Sequence, residues 1–132
     1  DVLGSRGLGD VYKRQAYTKQ KADKKAVDDL RELAKDTRNA YGAEAKYLVA
    51  QSLYDAKEYN AAEKELLNYI EQSTPHAYWL ARSFVLLSDV YAAMGKDLDA
   101  RQYLLSLQQN YQGNDDIATM IESRLSKLKV KN

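Results

Sequence analysis

Cysteine is absent, and proline and histidine occur once each. Without cysteine the chain has no disulfide, no thiolate metal site and no thiol nucleophile, a state that suits a reducing cytosol and a bacterial envelope equally. The single histidine, His76, follows Pro75 in a turn and has no second imidazole with which to build a triad or a usual zinc site. It reads as a solvated or capping side chain. Neither charge is in excess: 20 basic and 19 acidic residues are scattered along the chain and leave a formal charge of +1. There is therefore no basic field of the kind that collects nucleic acid. No apolar run approaches the roughly 20 residues that span a bilayer, so no direct membrane insertion is expected. No charged-then-apolar segment opens the chain either, and any export signal is expected upstream of it.

What is abundant is alanine, leucine, lysine, glutamate, glutamine and aspartate, residues that for the most part lose little entropy in a helix. At 132 residues this predicts one all-α domain. Residues 1–15 differ from the rest and hold three of the six glycines. Gly4, Gly7 and Gly9 are spaced GxxGxG with no preceding strand and no following Lys-Ser/Thr pair, which does not make a phosphate loop. The segment resembles a translated transposase-type sequencing adaptor, whose end, GAT GTG TAT AAG AGA CAG, encodes Asp10 to Gln15. Ser5 to Gly9 match the preceding adaptor bases in the same frame, and Asp1 to Gly4 are compatible with an index region. The native chain is then expected to begin near Ala16, in mid-protein. Removing Arg6, Lys13 and Arg14 together with Asp1 and Asp10 leaves it with no net charge.

From there the sequence repeats. Alignment on Ala26, Ala62 and Ala100 brings Leu30, Leu66 and Leu104 into register, and likewise Leu33, Tyr69 and Leu107. Nine residues before the three alanines lie Tyr17, Leu53 and Tyr91; twelve before the last two lie Ala50 and Ser88. The spacings of 36 and 38 residues are close to the roughly 34 of the tetratricopeptide repeat and clear of the roughly 20–29 of leucine-rich repeats. Ala50 with Ala62, and Ser88 with Ala100, resemble that family's small-residue pairs. Val49, Leu53, Tyr59 and Leu66, then Phe84, Leu87, Tyr91 and Leu104, supply the large residues around them. Ala43-Glu44-Ala45 and Lys57-Glu58-Tyr59-Asn60-Ala61-Ala62 follow the family's wording, whereas Lys46 stands where a large aromatic is common and Gln112 where a proline often does. The resemblance covers about residues 17–112. It implies antiparallel helix pairs stacked as a right-handed superhelical solenoid, divided as 16–42 (a truncated first repeat, mainly its second helix), 43–75, 76–113, and a capping helix with tail at 114–132.

Punctuation supports this division. Thr74-Pro75 suits a cap and a first helical residue, Gly95 a left-handed stop, and Gly42 and Gly113 are expected to follow helices. Asn114-Asp115-Asp116 puts a capping side chain and two carboxylates at the start of a last helix. That helix carries Ile117, Met120, Ile121, Leu125 and Leu128 on one stripe, with Glu122, Arg124, Lys127 and Lys129 elsewhere. It is expected to cover the apolar end of the array. Lys19–Lys25 reads as a solvated connector with Asp23 inside it.

Nothing here assembles a catalytic set, and no enzyme activity, metal or cofactor is expected. The pairs Asp28-Asp29 and Asp115-Asp116 are adjacent on helices and point about 100° apart, a poor arrangement for sharing a proton. No calcium-loop pattern occurs. Of the eleven tyrosines, Tyr12 falls in the adaptor-like segment and Tyr17, Tyr59 and Tyr91 take seam positions. The resemblance places Glu44, Tyr47, Leu48, Gln51, Tyr54 and Asp55, then Arg82, Val85, Leu86, Asp89, Ala92 and Ala93, on a concave face. Tyr and Arg there are the usual anchors of binding hot spots, though Tyr47 and Tyr54 could equally pack on the next repeat. Tyr47, Gln51, Val85 and Asp89 stand where a dicarboxylate clamp for chaperone tails would begin with Lys and Asn, so that clamp is not expected. The implied function is a non-catalytic scaffold holding a peptide or helix of a protein partner, with resemblance leaning towards bacterial cell-envelope repeat proteins. The alternative is a structural cap on a larger enzyme or regulator. Self-association through the truncated end, where Leu30, Leu33 and Ala34 would lack cover, is a further expectation.

Overall fold

A computed structural model of the chain describes residues 24–72 and 74–130, the side chains of 129 and 130 excepted. Residues 1–15, Tyr17 and most of the 19–25 stretch therefore lie outside the described residues. Within them the chain is all-α and strand-free, with six helices: α1 over 24–33, α2 Ala40–Asp55, α3 Tyr59–Glu71, α4 Ala77–Ala93, α5 Asp97–Asn110 and α6 Ile117–Val130. Lys24 and Lys25, expected in a connector, are exposed helical residues of α1.

Helices α2 to α6 each pack on the next, and α2 also meets α4, as α4 meets α6; α3 and α5 do not meet. The anchors explain why. Ala50, Ala62, Ser88 and Ala100 are all buried, so no side chain keeps these helices apart. Leu66, Tyr69, Leu87, Leu104 and Leu107 fill the space around them. Helix α4 touches four others and is buried on nearly every side, which is why Val85 to Val90 contain only one residue, Asp89, that is not fully buried.

One contact recurs with different chemistry. Phe84 of α4 meets Tyr103 of α5 with ring centroids 5.7 Å apart. Thirty-eight residues earlier, Lys46 of α2 makes an ion pair with Glu65 of α3 at 2.8 Å, with side chains only 11% and 21% exposed. An ion pair thus occupies a site that the next unit fills with two rings. Removing one partner strands the other charge, whereas replacing both by apolar groups need not be costly. Glu65→Tyr alone is expected to cost about 2–3 kcal/mol and Lys46→Phe with Glu65→Tyr less than about 1 kcal/mol, measured by urea denaturation of the four members of the cycle.

Two helix ends also repeat. After α4, Gly95 has φ +78°, and Lys96 N–H donates to Tyr91 C=O at 2.8 Å while Gly95 N–H donates to Ala92 C=O at 3.1 Å. After α2 the same pair of bonds runs from Glu58 to Leu53 and from Lys57 to Tyr54, both 2.9 Å. There the left-handed residue is Lys57, φ 62°, which bears a Cβ where glycine has none. Lys57→Gly is expected to stabilise the fold by about 0.5–1 kcal/mol, visible as a higher urea midpoint.

Other punctuation differs from expectation. Helix α2 starts at Ala40, capped by the Asn39 side chain, which accepts from Tyr41 N–H at 2.8 Å. The boundary at 42/43 therefore falls inside a helix, and Gly42 is a buried interior residue rather than a stop. A Cβ on it would lie 1.8 Å from Asp36 O and 2.8 Å from Leu33 O, so its role is to let the end of α1 approach. Pro75 precedes α4 rather than entering it. Thr74 Oγ1 accepts from His76 N–H at 3.3 Å but donates to Thr37 C=O at 2.9 Å, tying two loops together. His76 joins the same tie, its Nε2 lying 2.8 Å from Arg38 C=O. At α6 the capping side chain is Asp115, accepting from Ile117 N–H at 3.0 Å, not Asn114.

The apolar stripe of α1 is partly uncovered: Leu30 is half-buried and Leu33 is 53% exposed, though Ala34 is buried. At the other end Ile117, Ile121 and Leu128 are buried and Glu122 and Lys127 exposed. Arg124 was expected away from the packed face; instead it turns into the molecule, half-buried.

Candidate functional site

Helices α2, α4 and α6 share one face, and on it a chain of hydrogen bonds crosses from helix to helix. Arg82 on α4 lies at its centre. Its Nη2 donates to Tyr47 Oη and its Nη1 to Tyr78 Oη, each at 3.0 Å. Tyr47 donates onward to Gln51 Oε1 at 3.0 Å, and Gln51 Nε2 donates to Asp55 Oδ1 at 2.9 Å. Tyr78 donates to Asp116 Oδ1 at 3.0 Å, just before α6. Each phenol proton points away from the guanidinium, so the positive charge is relayed outward to a carboxylate at either end. Helical spacing explains the local geometry, since Tyr47, Gln51 and Asp55 are four apart, as are Tyr78 and Arg82.

Three rings surround the same guanidinium, whose carbon lies 4.9 Å from the centroid of Tyr47, 5.8 Å from Tyr78 and 5.9 Å from Trp79. Tyr47 and Trp79 are themselves 5.7 Å apart, and Tyr78 and Trp79 5.2 Å in an edge-on arrangement. Burial works against the Arg82 charge, but its hydrogen bonds to Tyr78 and Tyr47, together with the charge of those two groups when ionised, outweigh it and hold its pKa above the ordinary value.

Beside this cluster an open cleft of about 690 Å³ runs between α2, α4 and α6. Gln51 and Tyr54 form one wall, Ser88, Asp89, Ala92 and Ala93 the floor, and Arg124, Lys127 and Leu128 the other wall. The two alanines leave the floor low. Arg124 is fixed by a two-pronged pair with Asp89, Nε to Oδ1 at 3.1 Å and Nη2 to Oδ2 at 3.2 Å. Tyr54 packs on Tyr59 at 5.6 Å. Its pKa is raised, first by burial and then by the nearby Asp89 carboxylate. Among the described residues Lys127 forms no ion pair.

The residues expected on a concave face thus divide. Gln51, Tyr54, Asp89, Ala92 and Ala93 line the cleft. Glu44, Leu48 and Arg82 are half-buried and Asp55 is exposed. Tyr47 is 6% exposed and shows the face little more than its hydroxyl bonds, while Val85 and Leu86 are 2% exposed and form part of the core. Those last two cannot offer a ligand any surface, because α4 is enclosed by four helices. Residues missing from the expectation are Tyr78, Trp79, Asp116, Arg124 and Lys127. The sequence did hold a signal for two of them. Carrying the 38-residue step beyond Ala50 and Ser88 reaches Ser126, and carrying Leu86 and Asp89 forward by the same step reaches Arg124 and Lys127.

Among the described residues no three His, Asp or Glu side chains come together as a metal site, and no helix is long and apolar enough to cross a membrane. Neither protein-family models, curated proteins nor solved structures gave a match to this chain.

Proposed function

We propose that the chain is part of a tetratricopeptide-type array, in which α2 with α3 and α4 with α5 are antiparallel pairs of a right-handed superhelix and α6 caps the end. Its function is to hold a peptide or helix of a partner protein on the α2–α4–α6 face, without catalysis. The open cleft between those three helices is the observation that carries this reading. Support for the array comes from the contact order: the first helices of successive units meet while α3 and α5 do not, as in a stack that curves towards the first helices. The 38-residue register also gives α6 the place of another first helix, with Glu122 standing where Phe84 does and Lys129 where Tyr91 does. Charged groups there suit an end that receives no further helix.

The cleft has the make-up of a protein-binding surface, with an aromatic anchor in Tyr54, a paired Arg124 and polar groups at the rim. A Gln51→Ala, Tyr54→Ala, Lys127→Ala variant is expected to keep its helical circular dichroism and to recover partner from the native host at least tenfold less well than the unaltered protein. Equal recovery by a folded variant would defeat the reading and favour a structural cap without a ligand of its own. The envelope location rests on resemblance alone and would be tested by fractionating the host.

A further inference from the structure

The walls and floor of the cleft are helical throughout, since its lining residues all fall within α2, α4, α5 and α6. Main-chain N–H and C=O groups inside a helix are spent on one another. At the ends of α2 and α4 the turns that follow take up carbonyls that would otherwise point outward. Ala56, Lys57 and Glu58 N–H donate to Ser52, Tyr54 and Leu53 C=O, and Gly95 and Lys96 N–H to Ala92 and Tyr91 C=O. An extended segment laid in the cleft would therefore strip water from its own backbone and find no row of partners to replace it. A helix arrives with its backbone already satisfied. The floor admits one, because Ala92 and Ala93 project only methyl groups.

The charges of the cleft are unevenly spent. Asp89 is the one carboxylate of the lining, and both its oxygens accept from Arg124, from Nε at 3.1 Å and from Nη2 at 3.2 Å. Arg124 Nη1 has only the Met120 carbonyl, at 3.5 Å, and Lys127 forms no ion pair among the described residues. The α6 wall thus offers unspent N–H groups on two cations. Asp55 stands on the opposite side, at the end of α2, where it accepts from Gln51. We propose that the cleft receives a single amphipathic α-helix of a partner protein, which pairs an aspartate or glutamate side chain with Lys127 and the Nη1 edge of Arg124. This rests on the partner-binding reading given above and names its occupant. Apolar side chains on the same stripe of that helix lie against Ala92, Ala93 and the Tyr54 ring, as when a helix lays one face in a groove. The acidic residue is directed towards α6, because Asp55 repels it from the α2 side. A basic helix is selected against by Lys127, whose charge nothing on the wall offsets.

The test selects a displayed library of random short peptides on the whole chain and measures the enriched sequences as synthetic peptides by fluorescence anisotropy. The expected winners carry apolar residues at three- and four-residue spacing with Asp or Glu on the same stripe. Changing that acid to Asn or Gln, or a central residue to Pro, is expected to weaken binding about tenfold or more. Lys127→Glu, at an exposed position of α6, is expected to cause a similar loss with unchanged helical circular dichroism. A peptide with Lys in place of the acid should recover binding to that variant. Winners that need no acid, tolerate the central Pro or ignore Lys127→Glu would overturn the assignment, as would a library with no winners. Winners that lose affinity to Tyr54→Ala yet need neither acid nor helix would overturn it alone and leave the partner-binding reading standing. Winners indifferent to every cleft substitution would defeat both.

Discussion

Leu87→Ala is expected to lower the free energy of unfolding by about 3–4 kcal/mol and to weaken the whole of the packed helical stack. Leu87 is fully buried in α4, and deleting three of its carbons removes transfer free energy and leaves a cavity that close-packed neighbours only partly refill. The position matters as much as the residue type. Helix α4 packs on α2, α3, α5 and α6, so a void there loosens its contacts with all four. For a domain with a total stability of about 5–15 kcal/mol this is a large share. Urea denaturation followed by circular dichroism should show one transition at a much lower midpoint. A loss below about 1 kcal/mol would mean that α4 is not the centre of the core.

Gly42→Ala should behave differently, as a break confined to one end. Alanine is normally the better helix former, by about 1 kcal/mol in a helix interior. Here its methyl group would sit 1.8 Å from Asp36 O and 2.7 Å from Asp36 C. Those are backbone atoms, so no side-chain rotation relieves the clash and the end of α1 must move away. A net loss of about 2 kcal/mol or more is expected despite the propensity gain. The atoms nearest to that methyl group all belong to Leu33 and Asp36, so the damage should stay at that end. Hydrogen exchange should show amides of residues 24–36 losing protection while those of 80–110 keep theirs. A stabilised variant with unchanged exchange would show that α1 does not approach α2 this closely.

The same locality bears on the unaltered chain. With most of α1 exposed and Leu33 53% accessible, residues 26–35 are expected to exchange faster than residues 80–110 in a monomer. Equal protection would contradict an uncovered end.

How much was legible beforehand follows the physics of each signal. Ala62, Leu66 and Tyr69 recur as Ala100, Leu104 and Leu107, and all six are buried, because an identical register in two helices is hard to satisfy except by packing both in the same way. Gly95 was readable because a left-handed stop has a local cause. Gly42 was not: its small size serves a helix neighbour rather than its own φ, and glycine at a stop and glycine at a crossing look alike in sequence. Thr74 was misassigned for a similar reason, since its hydroxyl serves Thr37 across a loop as well as its own turn. Of the residues expected on one face from their position in the sequence register, Gln51, Tyr54 and Asp89 line the cleft. Val85 and Leu86 share that register but are buried, because periodicity does not register how many helices surround α4. Arg124 was set aside as a solvent-facing charge, since hydropathy alone cannot show that Asp89 waits one helix away to receive it.

Whether the α2–α4–α6 face holds a protein is decided most directly by site-specific photocrosslinking in the native host. The crosslinking residue would replace Tyr54 or Lys127 on the cleft in two variants, and Lys64 or Gln102 on exposed positions of α3 and α5 in two others. The account predicts a discrete adduct with one partner protein from both cleft positions and none from Lys64 or Gln102. No adduct from the cleft, or the same adduct from all four positions, would contradict it.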